Sequence, residues 1–413
     1  MLMYLNFKKN NYQNGFTLVE LLVAISIIGI MASMVLYALL GAQTDAKVAK
    51  TRGTVQKINE ILLQKWEEYR YKSINVQLDP ALTMPVAGVY PVAPREAARV
   101  KMIVQRDVMR MEMPDRISDL IYPPTQYTIE HNTTSGLSSS KLPRAIPPGY
   151  GLLYNTLRNE LISLKSRGVA NWASFNLAVL PAGPLPANAP VAPLTTNTVA
   201  QWSSAVQSSE LLYLLVSTCN FGGSSALEYF RPSETGDFDQ DGLLEFLDAW
   251  GRPISWIRWP AGYPGDLVRY ADSDAMDPVK TDWRYRVLTP AIPTDWHPRT
   301  LVPLIISSGP DGEFGVTFDF DIPIAYATMI WPATPAGVRG VSGTHYSAGP
   351  YYYPDPFFTW DYTNGSPNGP ASTMPAPDSH PVGYRYNQLG SIPAATAAFA
   401  DDNITSHDII LEP

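Results

Sequence analysis

From Phe16 to Leu40 the chain runs 25 residues with a single charge, Glu20. As a helix rising ~1.5 Å per residue, this run is ~37 Å long, enough to cross a ~30 Å hydrocarbon layer. A carboxylate inside hydrocarbon costs about 2.5–3.5 kcal/mol even on the lenient insertion scale. The acid therefore needs a compensating partner. Lys8 and Lys9 precede the run and set the N-terminus on the cytoplasmic side. A secretory signal peptide fits poorly. The run is longer than an h-region, no small-x-small cleavage site follows it, and an acid sits five residues into it. A plain signal anchor fits the length but leaves Glu20 without a purpose.

Apolar periodicity continues past the run. Val48, Thr51, Val55, Ile58, Leu62, Trp66 and Tyr69 recur at three- and four-residue spacing, while Lys50, Lys57, Glu60, Glu67 and Glu68 fill the other face. The pattern predicts one helix of about 50–55 residues, stopping near Ser73, whose second half lays one stripe on a soluble domain. Gly53 interrupts the heptads and argues against a coiled coil.

The residues "KKNNYQNGFTLVELLVAISIIGIMASMV" resemble the leader and first helix of type IV pilins and type II secretion pseudopilins. The resemblance implies cleavage after Gly15 by a prepilin peptidase, methylation of the new N-terminus at Phe16, and assembly through Glu20. In that family the carboxylate meets the terminal amine of a neighbouring subunit. The chain departs from many members in having no proline in the span. The first one after the leader is Pro80, which leaves Gly29 and Gly41 as the flexible points.

The remaining chain is rich in proline, 38 in 413 residues, which indicates many ordered turns and long loops. Formal net charge is -8, so no global basic field exists for nucleic acid. The single cysteine, Cys219, excludes an intrachain disulfide and reads as a small buried hydrophobe. Helices are expected at Arg95–Met111, Tyr154–Gly168 and Gln201–Val216. The first carries charges of alternating sign, which reads as a solvated face. Strands are expected at Pro253–Pro260, Trp283–Pro290 and Thr300–Ser308, where β-branched and aromatic residues are bounded by Pro and Gly. Loops are expected from His131 to Gly151 and from Pro335 to Ser379.

"DFDQDGLLEFLD" (Asp237–Asp248) has the spacing of a calcium loop. Asp237, Asp239 and Asp241 take alternate positions, and Gly242 allows the sharp turn. Leu243 would offer its carbonyl, Glu245 would bind directly or through water, and Asp248 would close the shell. Five acids in this stretch would otherwise repel. The reading that competes with this is a solvated Asp-rich turn. The later pieces "DAWGRPISW", "SSGPDGEFG" and "DDNITSHD" are similar, in order, to the C-terminal region of type II secretion major pseudopilins. That likeness implies a calcium site from the Ser308 carbonyl, Asp311, Asp402 and Asn403. About 85 residues separate its two halves, far more than in the family. One or two calcium ions are therefore expected.

The five histidines lack zinc spacing, and no nucleophile or phosphate-loop motif occurs. The expected fold is α+β: a long N-terminal helix on an antiparallel sheet head, with extra helices and long loop insertions. The expected divisions are a leader (1–15), a membrane half-helix (16–41), an amphipathic half-helix (42–73), an insertion region (74–236) and a calcium-binding sheet region (237–413) interrupted at 316–400. The reading that follows is a non-enzymatic filament subunit. It is a single-pass inner-membrane protein with a periplasmic head, and its partners are other pilin-like subunits, the peptidase and the membrane. The alternative is a membrane-anchored binding module, such as a calcium-dependent glycan binder, or a hydrolase exported by the same leader.

Overall fold

A computed structural model of the chain describes residues 17–72, 91–116, 128–133, 136–141, 206–240, 242–265, 273–281, 298–316, 360–363, 366–370 and 396–411, with a few positions between them. The described fold is α+β. The chain divides into two compact units, Met1–Ala49 and Lys50–Pro413.

Helix α1 (Leu18–Tyr71) is one unbroken element of 54 residues. No proline interrupts it, and Gly29, Gly41 and Gly53 are accommodated within it. Its length and its stop match the periodicity. Residues 18–47 are exposed, and this stretch is long and apolar enough to cross a membrane. From Thr51 onward the predicted stripe is buried: Val55, Ile58, Leu62, Trp66 and Tyr69.

Helix α2 (Pro94–Glu112) opens with proline in its first turn, where the missing N–H costs nothing. Lys101 is exposed, but most of its charges are not solvated, contrary to the sequence expectation. Glu96, Arg99, Arg106, Asp107, Arg110 and Glu112 are all buried. They are tolerated because they pair: Arg110 Nε with Asp107 Oδ1 at 2.8 Å, Arg106 Nη2 with Asp274 Oδ2 at 2.7 Å, and Arg99 with Glu96. Strands β1 (Thr128–Thr133) and β2 (Gly136–Lys141) pair antiparallel, with Thr133 opposite Gly136, where a loop was expected. Ser and Gly hide the strand there from a reading that looks for β-branched and aromatic residues.

Helix α3 (Gln207–Ser217) buries Leu211, Leu212, Leu215 and Val216. Cys219 follows it, half-buried, and its thiol donates to the Leu215 carbonyl at 3.3 Å. Burial pushes that thiol's pKa up, which keeps it protonated and unreactive. Two short ladders come next: β3 (Asn220–Phe221) with β4 (Ser224–Ser225), and β5 (Thr235–Gly236) with β6 (Glu245–Phe246). Three strands form the central antiparallel sheet: β7 (Ser255–Ile257), β8 (Leu304–Ser307) and, after β9 (Trp360–Thr363) and β10 (Ser366–Pro370), β11 (Ile404–Thr405). Their order is β11-β8-β7. Trp256 faces Ile305 in the ladder, and Ile404 faces Ser307. The β9–β10 hairpin falls in the second expected loop.

Strand β7 is an edge of this sheet, and an uncovered edge leaves backbone groups unpaired. Helix α3 closes it. Ser208 Oγ donates to the Trp256 carbonyl at 2.5 Å and accepts the Trp256 N–H at 3.0 Å, while Ser209 bonds Ser255 at 2.9 Å. Short helices α4 (Ala397–Ala400) and α5 (Ser406–Leu411) flank β11. The expected helix at Tyr154–Gly168 and strand at Trp283–Pro290 lie largely outside the described residues.

Candidate functional site

Glu20 sits at the start of α1, three residues after Thr17. The Thr17 backbone N–H and hydroxyl both donate to Glu20 Oε2 at 2.9 Å, and the Glu20 N–H donates to Thr17 Oγ1 at 3.2 Å. This is a capping box: two helix-end donors are satisfied reciprocally. It answers part of the cost of an acid in an apolar segment. The side chain remains exposed, so the carboxylate is still accessible to a second partner. Gly15 and Phe16 lie outside the described residues.

The Asp-rich loop joins β5 to β6. Asp237 Oδ2 accepts the Gly242 N–H at 3.0 Å, and Gly242 takes a positive φ of 95°, as a sharp turn there requires. Glu245 Oε2 accepts the Phe238 N–H at 2.9 Å. Leu243 is buried. Asp241 lies outside the described residues. Asp239 and Glu245 converge, and a third carboxylate joins them from α3: oxygens of Glu210, Asp239 and Glu245 lie within 4.8 Å of one another. Glu210 escaped sequence reasoning. The signal for it is a lone acid in the apolar helix "SSELLYLLV", buried at 2% exposure. Asp248 is not directed to this loop. Its Oδ1 accepts the N–H groups of Trp250 (2.8 Å) and Arg252 (2.9 Å), and its Oδ2 accepts the Ser307 hydroxyl (2.8 Å).

The two C-terminal pieces meet, although 91 residues separate them. The Asp311 N–H donates to Asp402 Oδ2 at 3.2 Å. Gly309 has a φ of +61°, and a side chain there would collide with the Asp402 carbonyl, so the loops touch backbone to backbone. The Ser308 carbonyl accepts the Gly312 N–H at 3.3 Å. Asp311 Oδ1 accepts the Glu313 N–H at 2.8 Å, and Asn403 Nδ2 donates to the Phe314 carbonyl at 2.6 Å. Oδ1 of Asp402 and Oδ1 of Asn403 are buried and accept no hydrogen bond among the described residues. Bare buried oxygens are costly. Carboxylate and amide oxygens of this kind are the donor type that a hard cation such as calcium takes.

Residues 10–36 match the family model described as the prokaryotic N-terminal methylation motif. The chain also has partial homology to the type II secretion system core protein G. It is 32% identical over 94 residues to that of Aeromonas hydrophila and 30% identical over 80 residues to that of Pseudomonas aeruginosa. These alignments cover 22% and 19% of this chain, and 66% and 56% of the two relatives. No solved structure gives a significant match.

Proposed function

We propose that the chain is a pseudopilin-like structural subunit of a type II secretion or type IV pilus-like filament. One observation carries this reading: a methylation motif over residues 10–36, within which the only acid of the apolar run, Glu20, stands capped and accessible at the helix start. A prepilin peptidase removes residues 1–15, Phe16 becomes the methylated N-terminus, and α1 anchors the subunit in the inner membrane with its head in the periplasm. Assembly with further pilin-like subunits pairs Glu20 with a neighbour's terminal amine. The mass of the mature chain tests this directly. It should begin at methylated Phe16; an intact leader, or trimming beyond the apolar run, would sink the reading.

Calcium staples the head in place of disulfides. One ion is held by the Ser308 carbonyl, Asp311, Asp402 and Asn403. A second is held where Glu210, Asp239 and Glu245 converge, since three carboxylates this close repel one another unless a cation or a proton lies between them. A ligand that binds only the folded state stabilises it by about 2.7 kcal/mol at a hundred times its Kd. Saturating calcium should therefore raise the melting temperature of the full chain in detergent by about 5 °C, and chelator should reverse the gain. An unchanged melting temperature would remove calcium from this account.

A further inference from the structure

We propose that Asp248 and Arg252 are positioning residues for the cation-binding loop at Ser308–Gly312, a role that rests on the calcium reading above. The geometry is a closed ring of hydrogen bonds. Asp248 Oδ1 holds the Arg252 N–H at 2.9 Å, and its Oδ2 takes the Ser307 hydroxyl at 2.8 Å. Ser307 Oγ in turn accepts the Gly309 N–H at 3.3 Å, and the Gly309 carbonyl accepts Arg252 Nη1 at 2.9 Å. Asp248 is 3% exposed and Ser307 fully buried, so the bonds at Ser307 are shielded from water, while Arg252 is half-buried. The ring fixes the peptide group that carries the Ser308 carbonyl, through the Gly309 N–H, and the next one, through the Gly309 carbonyl. Gly312 completes the fit: a side chain there would overlap the Arg252 guanidinium, so this glycine leaves the space in which the arginine lies. The loop after β8 is thereby tied to the turn before β7, independently of Asp402 and Asn403 on the far side of the insertion. Both carboxylate oxygens of Asp248 are engaged in this ring and turn, so its part in the site is to orient the loop.

Calcium titration calorimetry on the full chain in detergent tests this. Asp402→Ala identifies the binding component that belongs to this loop. Arg252→Gln should weaken that component by about 10–100-fold, the usual effect of losing a residue that orients a ligand. Its calcium-free circular dichroism should match the parent. Arg252→Lys should recover most of the affinity, because one N–H reaching the Gly309 carbonyl is enough. Ser307→Ala should weaken the same component, and the Arg252→Gln/Ser307→Ala double variant should be less than additive, since both act through the one hydrogen-bonded ring. Parental affinity in Arg252→Gln, or additive losses in the double variant, would overturn the positioning role alone. Absence of calcium heat in the parent, or no component lost in Asp402→Ala, would overturn the calcium reading and this inference together.

Discussion

Replacing Glu20 with alanine is expected to leave the chain in the membrane and abolish filaments. Insertion becomes easier, because the carboxylate that costs about 2.5–3.5 kcal/mol in hydrocarbon is gone. Assembly fails for the opposite reason. Each subunit would bring a terminal ammonium into an apolar contact with no counter-charge, and breaking one partner of a buried pair costs about 3–5 kcal/mol. That penalty recurs at every subunit added. The Thr17 bonds supply a sharper variant. Glutamine at the third helical position can still accept the Thr17 N–H, so Glu20→Gln keeps the cap and removes the charge. If pairing is the role, Glu20→Gln fails to assemble as completely as Glu20→Ala. Membrane fractionation and electron microscopy of sheared filaments read both outcomes. Filaments of normal length and number from Glu20→Gln would reduce Glu20 to a helix cap.

The second large effect is expected at Arg258, which is fully buried. Its Nη1 donates to Asp119 Oδ2 and the Met113 carbonyl at 2.7 Å, its Nη2 pairs with Asp115 Oδ1 at 3.3 Å, and its backbone N–H donates to Asp115 Oδ2 at 2.9 Å. Arg258→Ala leaves two neighbouring carboxylates inside the head and should cost about 3–5 kcal/mol in denaturant unfolding. The same cluster gives stability an unusual pH dependence. Burial raises the Asp119 pKa to about 6, with the Asp115 carboxylate adding to the rise and Arg258 only partly opposing it. Burial also works to raise Asp115, but Arg258 and Arg116 outweigh it and hold that group at about 2. An unfolded Asp titrates near 3.9. Between about 6 and 4 the folded state therefore binds the extra proton, on Asp119, and the cluster's stabilisation grows as pH falls. Below about 4 the unfolded state takes up protons that Asp115 refuses, and the stabilisation declines. The cluster should contribute most near pH 4. Asp119→Asn should remove the rise between pH 7 and 4; a rise of the same size in that variant would refute the assignment.

Legibility from the sequence followed the range over which each signal acts. Helix α1 was readable to its last turn because its stripe is local and periodic. Glu20 stood out because one charge in 25 apolar residues has no other context. The meeting of Ser308–Gly312 with Asp402 and Asn403 could be anticipated only from the order of short pieces, since no local property links residues 91 apart. The α2 charges misled, because alternating signs look the same whether water or a partner neutralises them. Two of their pairs, Arg110 with Asp107 and Arg99 with Glu96, lie within the helix itself, while Asp274 for Arg106 lies 168 residues on, where no local pattern reaches. Glu210 failed for the same reason. Asp248 failed differently: its spacing matched a loop ligand, but the chain turns it towards β8.

The head is riveted to α1 at two heights. Near the lower end, Thr54 and Lys57 bind Glu234 at 2.9 Å, and Thr51 accepts the Ala249 N–H at 3.0 Å. Near the upper end, Tyr69 and Lys72 clasp Glu112. Eighteen residues of helix, ~27 Å, separate Thr51 from Tyr69. A pull along the helix axis would thus be shared between two polar fastenings loaded in shear, rather than peeling an apolar seam open from one end. Such a joint resists sliding along the axis and rotation about it together.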